Sequence, residues 1–137
     1  MEPHALKERA ILYMQIWSAG GDKVLEEVAH PELEVTYPHF GQTYQGIDAY
    51  REMLRMTYHF FPDLSTNVKR CTPAENTATV EWTYTGTHQN GELFGVEAGG
   101  KEVQVSGITI LTFKDDKVIR EDGIVDNLAL AMQIGAM

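Results

Sequence analysis

The stretch VSGITILTFKDDKVIREDGIVD, residues 105–126, alternates apolar and polar side chains on either side of Asp115-Asp116. Period-2 runs meeting at a two-residue turn mark a β-hairpin. With Asp115 and Asp116 as the turn, Lys114 faces Lys117, Leu111 faces Arg120, Thr109 faces Asp122 and Val105 faces Asp126. Val103, Val105, Gly107, Thr109, Leu111 and Phe113 then share a face with Val118, Arg120, Asp122, Ile124 and Asp126. That face is mostly apolar, yet it carries an arginine and two aspartates. Burying an unpaired charge is expensive, so these residues are expected at a rim, paired with one another, or placed for chemistry.

Strand periodicity extends upstream of the hairpin, over roughly 64–71 and 77–88. In the second of these, Val80, Trp82, Tyr84 and Gly86 share a face that ends in His88. An imidazole closing an apolar face marks a boundary between interior and water, whether at a pocket mouth or beside the Asn90-Gly91 turn. The first half of the chain reads differently. Leu6, Ala10, Tyr13, Met14 and Trp17 recur at helical spacing until Gly20-Gly21 stops them, and a shorter helical piece covers Lys23 to Val28. Leu33 to Tyr37 form a short strand. Asp48 looks like the cap of a helix running to about Tyr58, with Tyr50, Met53, Leu54 and Thr57 on one side. A last helix, about Asn127 to Gln133, precedes Gly135. Helices followed by hairpin-linked strands indicate an α+β fold, with helices packed on one face of an antiparallel sheet.

No repeat or linker interrupts the chain, and its 137 residues are the size of one domain, residues 1–137. With 43% hydrophobic and 23% charged residues the composition is that of a globular protein. A formal charge of −9 argues against nucleic acid or an anionic membrane as partner. Cys71 is alone, so no intramolecular disulfide forms and a reducing compartment is the simplest setting. The apolar run ILYMQIW near the N-terminus is short and broken by Gln15, and Glu2 and Glu8 spoil a basic leader. A cytoplasmic protein is expected.

The motifs FFPDL (60–64), GTHQNGELFGVEAGGKEVQVSG (86–107), FKDDKV (113–118) and DNLALAMQIGA (126–136) resemble, in order and spacing, those of SnoaL-like proteins. These form the polyketide-cyclase-like branch of the nuclear-transport-factor-two-like superfamily, with ketosteroid isomerase and limonene epoxide hydrolase as more distant members. The resemblance implies a cone-shaped α+β fold, in which a curved antiparallel sheet and the N-terminal helices enclose a pocket, and it implies a homodimer. It also implies that the aspartate near the end of the last long strand is the acid/base. By its distance to QIG that residue is Asp126, with Asp122 the neighbouring candidate. The chain departs from the family pattern at Val125, Thr112 and Asp116, and lacks the histidine that the cyclases place in the strand before the last turn.

Each candidate has a structural reading beside the functional one. Asp126 precedes an apolar helix, where an N-cap belongs. Asp122, followed by Gly123, can mark a bulge or pair with Arg120. A carboxylate facing an apolar pocket, however, loses hydration and gains a raised pKa suited to general acid/base work. His88 would donate to a substrate oxygen or orient Asp122. Tyr13, Trp17, Tyr37, Trp82, Tyr84, Thr109 and Arg120 are expected to line the pocket. His4, His30, His39, His59 and His88 show no metal-ligand spacing, and no glycine motif grips phosphate, so neither metal nor cofactor is expected. The expected function is acid/base cyclisation or isomerisation of a small apolar, oxygenated molecule. An epoxide-hydrolase-like reaction through Arg120 and Asp122, or a non-catalytic ligand-binding or dimerisation module, are the alternatives.

Overall fold

The computed structural model describes residues 1–137. Helix α1 (Pro3–Tyr13) is opened by Glu2, whose carboxylate accepts from the amides of His4 and Ala5, with Pro3 in its first turn. Leu6, Ala10 and Tyr13 face inward, and a 3-10 turn, Met14–Trp17, carries the chain to Gly20. A second 3-10 turn (Gly21–Val24) leads into the single turn of α2 (Leu25–Val28). Helix α3 (Ile47–Phe60) buries Tyr50 and Leu54. Its N-cap is Gly46 and not Asp48, which lies in the first turn, where the helix dipole favours a carboxylate. Helix α4 (Asn127–Ile134) is capped by Asp126, which accepts from the Ala129 amide at 3.0 Å, and ends at Gly135 in the left-handed conformation.

The strands are β1 (Ala29–Thr36), β2 (Thr43–Gln45), β3 (Ser65–Ala74), β4 (Thr77–Thr87), β7 (Glu102–Lys114) and β8 (Lys117–Val125), in the spatial order β2-β1-β8-β7-β4-β3. A separate small hairpin, β5 (Glu92–Leu93) with β6 (Val96–Glu97), lies in the connection between β4 and β7. The sheet is mixed and not purely antiparallel, because β1 returns to lie parallel to β8. Bulges in β3, between Val68 and Arg70, and in β8 bend the sheet, a usual effect of an extra residue in one strand. Helices α1 and α3 pack on one face and the core lies between them and the sheet. No helix is long and apolar enough to cross a membrane.

The bulge in β8 overturns the hairpin register expected from sequence. Lys114 does face Lys117, and Phe113 faces Val118, but Thr112 then faces Arg120, leaving Ile119 unpaired. Beyond that point the strand is shifted by one, and a one-residue shift exchanges the two faces of a strand. Glu121 pairs with Leu111, Gly123 with Thr109 and Val125 with Gly107 on the helix-covered face. Arg120, Asp122 and Ile124 point to the outer face. Two inward glycines make room for rings there. A Cβ on Gly107 would collide with the Trp82 indole, and one on Gly123 with the Tyr37 ring.

This steric reading gives a direct check. Gly123→Ala is expected to destabilise the fold by about 1–3 kcal/mol in chemical denaturation, the range for overpacking a filled core. Gly99→Ala, where an added Cβ meets nothing within 4 Å, is the control and should stay within about 0.5 kcal/mol of the parent.

Candidate active site

With the face of β8 exchanged, the side chain entering the interior is Glu121, which is 0% exposed. Three phenols surround it, each delivered by a different element. Tyr13, at the end of α1, donates its hydroxyl proton to Oε1 at 2.6 Å. Tyr50, in the first half of α3, donates to Oε2 at 3.0 Å, and Tyr37, just past β1, donates a short bond to the same oxygen. Tyr37 also meets Thr109 Oγ1 at 2.8 Å, and Trp82 Nε1 donates to that same oxygen at 2.8 Å. Since the indole N–H can only donate, and Tyr37 gives its proton to Glu121, the Thr109 proton goes to the Tyr37 oxygen. The donors thus run in one direction, from Trp82 through Thr109 and Tyr37 to the carboxylate.

No cation pairs with Glu121; the ion pairs of the protein lie elsewhere. Burial pushes its pKa above the ordinary carboxylate value, against the opposing pull of hydrogen bonds from Tyr13, Tyr37 and Tyr50. Burial, reinforced by the Glu121 charge, in turn holds the Tyr13, Tyr37 and Tyr50 hydroxyls well above the usual tyrosine range, so they stay protonated and remain donors. Rings pack the space around the carboxylate. Trp17 stacks on Trp82 at 6.3 Å, and Trp82 stacks on Tyr84 at 5.8 Å.

Of the residues expected from sequence, Tyr13, Trp17, Tyr37, Trp82 and Thr109 converge on this cluster, and Tyr84 adjoins it. Asp126, Asp122, His88 and Arg120 do not. Asp126 is exposed and serves as the helix cap. Arg120 and Asp122 do pair, at 3.0 Å, but on the outer face, where Arg120 also holds Glu34 at 3.0 Å. An epoxide-opening role for that pair loses its enclosed setting, because the bulge turned both side chains outward. His88 is buried at 1% exposure, yet its ring lies against Phe60 and Phe61, and its Nε2 is 2.9 Å from the Gly91 carbonyl. It holds the base of the loop after β4. Glu121 and Tyr50 were missed. The sequence carried one signal for Glu121: an unbulged hairpin placed Arg120 and Asp122 among valines and leucine and put Ile119 outside, a conflict that one inserted residue resolves.

A wide concavity lies outside this cluster. It is an open groove of about 1280 Å³ across the outer face of the sheet, lined by Ile108, Ile110 and Ile124, with Asp122, Asp126 and His39 among the residues at its edge. Asp122 there is ion-paired with Arg120 and Asp126 is engaged as the α4 cap, whereas Glu121 is desolvated and ringed by aimed donors. A titratable group perturbed by burial and held by specific partners marks a candidate functional site, which here is Glu121.

Comparison with known proteins agrees with the architecture. The family model for SnoaL-like polyketide cyclase matches residues 8–134. A structure from Jannaschia sp. CCS1, described as a SnoaL-like polyketide cyclase, superposes with a TM-score of 0.86 at 25% identity, covering 98% of this chain and 94% of that one. TsrD from Streptomyces laurentii gives a TM-score of 0.86 at 21% identity, over 100% and 99% of the two chains. A protein of ketosteroid isomerase-like fold from Catenulispora acidiphila, solved with trimethylamine, gives 0.77 at 14% identity, over 93% and 92%. No protein of curated function matches the sequence. The extent of the family match and the shared cone of helices and mixed sheet place this chain in the SnoaL-like polyketide cyclase family.

Proposed function

We propose that the protein is an acid/base catalyst that moves a proton at a carbon next to a carbonyl in a small apolar, oxygenated molecule, with Glu121 as proton carrier. The observation that carries this reading is a carboxylate with no cation, fully buried, with its pKa raised and three phenolic donors fixed on it. Burial and raised pKa bring a carboxyl toward the range useful for proton transfer near neutral pH. Glu121 takes the α-proton, the C–H electron pair forms a carbon–carbon double bond, and the carbonyl π pair moves to oxygen. Return of the proton at the same or another carbon gives exchange, isomerisation or, after attack on a second carbonyl, ring closure. Family membership supports the same class of chemistry.

Entry to Glu121 is proposed at the segment after Tyr37. There Phe40 and Tyr44, both half-buried, lie ring to ring with Tyr37 and Tyr50 at 5.0 and 6.3 Å. Gly41 and Gly46, both at positive φ, flank Tyr44 and let this cover move.

We also propose that two copies pair through the outer sheet face. Ile108, Ile110 and Ile124 are 51%, 44% and 68% exposed there, a solvent-facing apolar strip of the kind that marks an interface. Lys69 lines one flank of the groove and Asp122 and Asp126 the other, so a two-fold operation sets opposite charges against each other.

Three measurements check these readings. In D₂O the α-protons of 1-tetralone, a bicyclic ketone, should exchange faster with the protein than in buffer, with a rate that rises with pH as Glu121 ionises. Glu121→Gln should reduce the enhancement at least a hundredfold, the scale of general-base catalysis; exchange equal to buffer, or unchanged in the variant, contradicts the proposal. The second measurement is stability against pH. A carboxyl whose folded pKa is raised favours folding most below its unfolded value of 4.5, and that advantage is lost as pH rises through the folded value. Stability of the parent minus that of Glu121→Gln should therefore fall above pH 4.5, by up to about 1.4 kcal/mol per pH unit, and then level off. A flat or rising difference contradicts it. For the third, Ile124→Lys should sediment as a monomer at concentrations where the parent is a dimer; a monomeric parent rejects the pairing.

A further inference from the structure

Among the buried side-chain nitrogens and oxygens, Trp17 Nε1 alone meets no hydrogen-bond partner. Its ring is 5% exposed, stacked on Trp82 and edge-on to Tyr37 and Tyr50 at 6.1 and 6.4 Å. The neighbouring indole of the stack is satisfied, Trp82 donating to Thr109 at 2.8 Å. Buried donors are normally paired, so an unpaired one beside a functional carboxylate calls for an explanation. The Trp17 N–H is near enough to Glu121 and to the Tyr37 hydroxyl to favour their charged forms, yet it bonds to neither. Glu121 is already engaged by Tyr13 on one oxygen and by Tyr37 and Tyr50 on the other.

We propose that Trp17 Nε1 receives the carbonyl oxygen of the substrate, and that the group it accepts is a neutral ketone or ester and not a carboxylate. This rests on the acid/base reading of Glu121. The indole N–H only donates, so the incoming group must be an acceptor. It must also be uncharged, because it enters beside a buried carboxylate with no cation to offset a second negative charge. The Tyr13, Tyr37 and Tyr50 hydroxyls are spent on Glu121, and the Trp17 N–H is the fully buried donor left free beside it. As Glu121 draws off the α-proton, negative charge grows on the carbonyl oxygen and the bond from Trp17 strengthens, as a donor fixed in advance at a developing oxyanion does.

The chain contains two tryptophans, so ¹⁵N-labelled protein gives two indole N–H signals, assigned with Trp17→Phe. One belongs to a bonded donor and the other to a free one. Addition of 1-tetralone should move the Trp17 signal downfield and leave that of Trp82 in place, while tetralin, the hydrocarbon of the same shape, should produce no downfield shift. Trp17→Phe should weaken 1-tetralone binding about tenfold, the upper end for one hydrogen bond, and leave tetralin affinity unchanged. Failure of the parent to bind 1-tetralone, an unmoved Trp17 signal at saturation, or equal loss of both affinities overturns the proposal. The signal shift uses the unaltered protein, so the test survives if the variant folds poorly. Glu121→Gln separates the two readings. If 1-tetralone shifts Trp17 but its α-protons exchange no faster than in buffer, the oxygen site stands and catalysis falls. If exchange depends on Glu121 while Trp17 is unmoved, catalysis stands and the oxygen site falls.

Discussion

The interior of this protein is organised by one carboxylate solvated by dipoles alone. An isolated ionised carboxylate in an apolar medium is prohibitively costly, and proteins normally neutralise it, pair it or expose it. Here hydroxyl donors from α1, from the end of β1 and from α3 converge on Glu121 from β8. Hydrogen bonds to a charged group each contribute about 1.5–3 kcal/mol net, and only together do they hold the charge inside. Desolvation still prevails, and the pKa remains raised. The same contacts tie the helical layer to the sheet, so the site and the packing of the fold are one object. Any movement of α1 or α3 that withdraws a phenol would raise the Glu121 pKa further.

A single extra residue in β8 makes this arrangement possible. Without it, Glu121 would face solvent and Arg120 and Asp122 would be driven into the core among Thr109 and Leu111. With it, the arginine finds Asp122 and Glu34 in water, at little energetic consequence, and the interior receives one acid whose hydrogen bonds are met. The bulge also places Gly123 beneath the Tyr37 ring, which brings the Tyr37 hydroxyl to the carboxylate. The outer face then keeps its isoleucines, whose exposure suits contact with a second copy.

Much of the architecture was legible in the sequence, because periodicity reports which side of an element is buried. The helical spacing of Leu6, Ala10 and Tyr13 and the alternation of Val80, Trp82 and Tyr84 place those residues correctly, as does the helix cap at Asp126. The five aromatic and threonine residues that gather at Glu121 were visible as an inward-facing set for the same reason. What was hidden came from non-local geometry. Period-2 counting carries no information on where a strand gains a residue, so a count without the bulge puts every β8 residue past Ile119 on the wrong face. The parallel return of β1 beside β8 is likewise a long-range pairing that no local pattern encodes. Tyr50 was read as one of a helix's apolar residues, since nothing in its own segment indicates that its hydroxyl reaches across the core.

The most direct measurement of the central claim is a titration of Glu121 itself, following its side-chain carboxyl carbon by ¹³C NMR in the folded protein. The account predicts a midpoint above 4.5, accompanied by shifts in the Tyr13, Tyr37 and Tyr50 rings as the charge appears. A midpoint at or below 4.5, or a titration that leaves those rings undisturbed, would contradict it.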